Sequence, residues 1–139
     1  MAATKRITPE MVLEAYREQG LVPLRGDWLY KEEEGKCYAC ALSAVVIHKC
    51  GSAKYIERTL HNEGTDAVQT LICDELELPS EYVYGFVRGF DSSSLNKEDA
   101  ALLLPSAKYA VTRLGLEDGI AARKEVEKVY DLSPIEKFL

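Results

Sequence analysis

Gly85-Phe86-Val87-Arg88-Gly89-Phe90 and, 30 residues later, Gly115-Leu116-Glu117-Asp118-Gly119-Ile120 share one pattern: glycine, large apolar residue, two others, glycine, large apolar residue. Positions four apart stack on one face of a helix, so each copy lays down a glycine strip edged by bulky side chains. Glycine costs a helix interior about 1 kcal/mol against alanine. Four of them in two helices predict that something packs close against Gly85, Gly89, Gly115 and Gly119. The reading is two helices that cross glycine face to glycine face inside one core. The alternatives are a glycine face packed on a second copy of the chain, and backbone approach to a ligand. The flanking sequence does not repeat, so the 30-residue interval is not a solenoid period. Gly-x-x-x-Gly marks dimers within apolar membrane helices. Here Arg88, Glu117 and Asp118 predict a water-facing side instead.

Working outward from these strips, helical signals fill most of the chain. Thr8-Pro9-Glu10 reads as an N-cap followed by proline at the first helical position, and Gly20 ends that helix. Val12, Ala15, Tyr16 and Gln19 share one of its faces. From Leu21 to Gly35 the helical period disappears, and Leu21-Val22-Pro23-Leu24 and Trp28-Leu29-Tyr30 flank a turn at Arg25-Gly26-Asp27. A short β-hairpin near residues 21–31 is the expectation. The next helix is placed from Lys36 to Lys49, apolar nearly all round and therefore central. Cys37, Cys40, Ala41, Ala44, Val45 and His48 form one of its stripes. Ser52 caps a helix to Asn62 with Tyr55, Ile56, Thr59 and Leu60 as its inner face, and a further helix follows Gly64. Leu78-Pro79-Ser80 separates that helix from the first glycine strip. Asn96 caps a short helix to Leu104, Pro105-Ser106 opens the long last helix, and Ser133-Pro134 caps a final turn ending in Phe138-Leu139.

The 139 residues suit one domain, 1–139, of mainly α class with about six helices. Apolar content of 47% and charged content of 29% are ordinary for a soluble globular chain. The net charge of -6 and the lack of a Lys/Arg cluster argue against nucleic-acid binding, which draws its affinity from phosphate contacts. The start shows no apolar signal-peptide core, and the longest apolar stretch, Ala39 to Ile47, is too short to span a bilayer. The expectation is a cytoplasmic chain, without membrane contact, whose four cysteines are reduced thiols.

Cys37-x-x-Cys40, with His48, Cys50, His61 and Cys73, is the one constellation with chemical potential. For zinc, the candidate ligands are Cys37, Cys40, His61 and Cys73. On a continuous helix His48 lies roughly 12 Å beyond Cys40 at about 1.5 Å per residue, too far to share an ion. There is no second Cys-x-x-Cys knuckle. For redox chemistry, Cys-x-x-Cys at a helix N-terminus favours the thiolate, but the supporting βαβ context is missing. Cys37-Tyr38-Ala39-Cys40-Ala41-Leu42-Ser43-Ala44-Val45-Val46 also resembles the start of the papain-like central helix. That resemblance implies Cys40 as a nucleophile. It covers ten residues, has Ala41 where the family has tryptophan, and leaves His61 as the one histidine off this helix. Against all three stands a packing role, since cysteine behaves as a small hydrophobe.

Signatures of phosphate loops, zinc proteases, serine hydrolases and EF-hands are absent from the sequence. No catalytic residue and no cofactor is expected. The expected function is a non-catalytic protein–protein interaction or regulatory module, working as a homo-oligomer or bound to another protein. Eight tyrosines and the terminal Phe138-Leu139 support contact with a partner. The rival is a cysteine-centred site, structural zinc or reactive thiol, on the Cys37–Lys49 helix.

Overall fold

The computed structural model describes residues 5–24, 27–31, 35–91 and 110–130. Among them the chain forms six helices and one small three-stranded sheet. Helix α1 (Pro9–Gln19) begins where Thr8 Oγ1 accepts the Met11 amide and stops at Gly20, which sits in the left-handed region at φ 63°. Val12, Ala15 and Tyr16 are its buried face. Helix α2 (Ala41–Cys50) is buried at every position from Ala41 to Ile47. It packs against α1, and the chain continues through α3 (Lys54–Glu63), α4 (Thr65–Leu76), α5 (Ser80–Asp91) and α6 (Ala110–Val129), of which α4 and α5 also touch it. The helix proposed over 96–104, the start of the last helix and the turn ending in Phe138-Leu139 lie outside the described residues.

The sheet revises the region before α2. Strands β1 (Val22–Pro23) and β2 (Leu29–Lys31) are the two extended pieces of the sequence reading. They do not pair with each other. Strand β3 (Cys37–Ala39) lies between them, parallel to β1 with Val22 opposite Tyr38, and antiparallel to β2 with Leu29 opposite Ala39. The central helix therefore starts at Ala41, and Cys37 and Cys40 are not on a helical stripe. A short apolar run fits either period, and here two flanking strands supply ladder partners that a helix would forgo. Tertiary bonds fix the choice: Tyr16 Oη donates to the Ala39 carbonyl at 2.8 Å, and the Cys40 amide donates to the Trp28 carbonyl at 3.2 Å.

Two side-chain placements also differ from expectation. Tyr55 is 55% exposed, so α3 turns only Ile56 fully inward. Asp118, expected on a solvated face, is buried. It falls three residues after Gly115 and one before Gly119, so it lies on the side of α6 that faces α5.

That facing is close. A Cβ built on Gly85 would overlap the Thr112 carbonyl oxygen, and on Gly89 that of Leu116. On Gly115 it would overlap the Tyr82 carbonyl oxygen, and on Gly119 that of Phe86. The partners advance in the same direction along both helices, so α5 and α6 run side by side in the same sense. Backbone meets backbone because each side chain that would separate them is missing.

Candidate functional site

Residues 5–8 form a strap ahead of α1 that is neither helix nor strand and has extended backbone at Thr8. Its Ile7 side chain is 4% exposed within the core, whereas Lys5 and Arg6 reach outward. Arg6 closes a two-pronged pair on Asp118, Nε to Oδ2 at 3.0 Å and Nη2 to Oδ1 at 2.6 Å. Tyr82 Oη donates to Asp118 Oδ2 and accepts the Ile7 amide at 2.8 Å. Lys5 Nζ pairs with Glu77 Oε2 at 2.8 Å. The electrostatics follow these contacts. The Asp118 hydrogen bonds hold the Arg6 guanidinium above its ordinary value. Burial first, and then the bond to Asp118, push the Tyr82 phenol up. Lys5 lowers the Glu77 carboxyl. Arg6, Tyr82 and Asp118 thus join the N-terminal strap to both glycine-strip helices. Sequence reasoning missed this cluster, although the place of Asp118 between two glycines was a readable signal.

The strap is also one wall of a half-open cleft of about 380 Å³. Its other walls come from α1, α2 and α4. Ile7, Val45 and Leu76 make the apolar floor, and Met11 stands 40% exposed at the mouth. Around the rim, polar groups meet in pairs. His48 Nε2 lies 3.9 Å from Glu14 Oε1, with Gln19 Nε2 3.3 Å from His48 Nδ1. Lys49 Nζ donates to the Glu75 carbonyl and lies 3.9 Å from the Glu75 carboxylate. An apolar centre inside a polar rim is the general anatomy of a protein–protein contact.

The cysteine constellation is dispersed. Cys37 is on β3, Cys40 precedes α2, Cys73 is on α4, and His61 is exposed on α3. Among the described residues no group of three or more His, Cys, Asp or Glu side chains is placed to hold a metal ion. Cys40 is the N-cap of α2: its Sγ accepts the Ser43 amide at 3.4 Å and its thiol donates to Ser43 Oγ at 3.3 Å. Burial pushes the Cys40 thiol up to about 12, and the nearby Asp91 carboxylate adds to the effect. A nucleophile needs the opposite shift. Neither histidine is its partner, since His48 faces Glu14 and Gln19 and His61 points to water. Burial likewise raises Cys37, Cys50 and Cys73.

Among the described residues no helix is long and apolar enough to cross a membrane. Comparison with protein-family models, with characterised proteins and with solved structures gives no match.

Proposed function

We infer that the chain is a non-catalytic protein–protein interaction or regulatory module, acting as a homo-oligomer or bound to another protein, with the cleft beside the strap as its contact surface. The observation that carries this reading is the cleft itself, with Ile7, Val45 and Leu76 at its buried floor, Met11 exposed at its mouth and paired polar groups on its rim. Met is flexible and polarisable, which suits a contact surface. The thiol reading loses support from the raised Cys40 thiol and its lack of a base. A protein partner, rather than nucleic acid or a membrane, fits the net charge of -6. Four free cysteines suit a reducing compartment, which favours the cytoplasm. One core cluster running from Ile7 to Val126 supports a single domain.

Light scattering over a wide concentration range tests the reading. The expected result is a mass above the 15.5 kDa of one chain, or a stoichiometric complex with a host protein, reduced in Met11→Asp. A monomer at every concentration, with no stoichiometric companion, removes it.

A further inference from the structure

The strap does not merely cover the molecule; it is held the way a peptide ligand is held. Three features of residues 6 and 7 are read separately. The guanidinium of Arg6 meets the Asp118 carboxylate with two parallel bonds, a geometry that lysine cannot reproduce. The amide of the next residue is met by Tyr82 Oη, whose own proton is already committed to Asp118 and whose lone pair is therefore turned to the strap. The side chain of that residue, Ile7, enters the core.

We propose that the Tyr82–Asp118 pocket is a recognition site for an extended segment in which arginine precedes a branched apolar residue, filled in cis by Arg6-Ile7 and available to such a segment of a partner protein once the strap leaves. This rests on the reading of the chain as an interaction module and names the chemistry of its partner. The strap is separable from α1, because Thr8 caps that helix and Pro9 begins it. Helix α1 therefore keeps its own start when residues 5–7 leave. Release hydrates Asp118, since the strap is part of its cover. The tethered strap competes at an effective concentration on the order of millimolar, so the cis contact is an autoinhibitory one.

The test uses the full chain carrying Arg6→Ala and Ile7→Ala, and a fluorescein-labelled peptide of residues 4–10, Thr-Lys-Arg-Ile-Thr-Pro-Glu. Fluorescence anisotropy is expected to show the peptide binding this variant at least tenfold tighter than wild type. Adding Asp118→Asn is expected to remove at least tenfold of that affinity, and a peptide with glutamate at the arginine position is expected not to bind. Absence of binding to a variant that still melts cooperatively overturns the proposal, as does equal binding of the charge-reversed peptide. Should the variant not fold, hydrogen exchange of the wild-type chain decides. An Ile7 amide that exchanges at least 100-fold faster than that of Val46 marks a strap that opens locally, and equal rates mark an integral staple and overturn the proposal. Failure here leaves the association test at Met11 standing. A chain that binds the peptide yet never associates fails the broader reading alone.

Discussion

Cys40 caps α2 with sulfur in a place where a hydroxyl or carboxylate oxygen is usual. Its thiol is held protonated, so folding favours the neutral form. For a raised value the sign is fixed: the stabilisation is complete below the ordinary thiol value of 9.0 and is lost as pH climbs toward about 12. The slope is up to about 1.4 kcal/mol per pH unit for this one group. Tyr82 and Tyr16, both raised by burial, add the same kind of loss above 10.0. Cys40→Ser keeps a capping oxygen and does not titrate. Urea midpoints between pH 9 and 10 should therefore fall less steeply in this variant than in wild type, and superimposed profiles would refute the burial argument. Thiol labelling at neutral pH gives a second check on the same residues. Cys50, exposed at the end of α2, should react first, and Cys40 only at the rate of unfolding. A fast Cys40 that survives Cys50→Ser would return the nucleophile reading to consideration.

Close contact between α5 and α6 makes glycine the required residue at four positions. The hydrogen that replaces each Cβ points at a carbonyl oxygen of the other helix, a weak attraction repeated four times. On an open helix Gly→Ala gains about 1 kcal/mol. At Gly119 the added methyl meets the fixed Phe86 carbonyl, so Gly119→Ala should instead cost about 3 kcal/mol, measured by chemical denaturation. A variant as stable as wild type would mean that the two helices slide apart freely. This pair of elements was legible because glycine spacing is a strong signal whichever partner it serves. β3 was not legible, since Cys37-Tyr38-Ala39 is too short to show a period and owes its form to β1 and β2, distant pieces of weak signal. Asp118 was misread for a related reason. Its charge suggested water, whereas its position beside Gly119 put it on the contact face, and the compensating Arg6 lies 112 residues away, where no local pattern reaches. The cleft shares that fate, being assembled from the strap and three helices with no motif of its own.

At the scale of the molecule the strap closes three long loops among the described residues: Lys5 to Glu77, Ile7 to Tyr82 and Arg6 to Asp118. These three contacts are unequal. Lys5 and Glu77 are 60% and 73% exposed, and an ion pair so solvated contributes little. Arg6 and Asp118 are 52% and 11% exposed, so one end of their pair is solvated and the other is not. Removal is accordingly asymmetric. Arg6→Ala leaves a covered carboxylate with Tyr82 as its remaining donor, and the loss should be about 2 kcal/mol, below the usual cost of breaking a wholly buried pair because Arg6 is half in water. Asp118→Asn leaves a guanidinium that water can reach and an amide that still accepts from Tyr82, and should cost about 1 kcal/mol. In the double variant there is neither an orphaned charge nor a pair to break, so its loss should fall short of the sum by about 1 kcal/mol. Strict additivity in that cycle would mean that Arg6 stabilises the fold through its aliphatic stem alone, and that the two-pronged contact with Asp118 contributes nothing to holding the N-terminus in place.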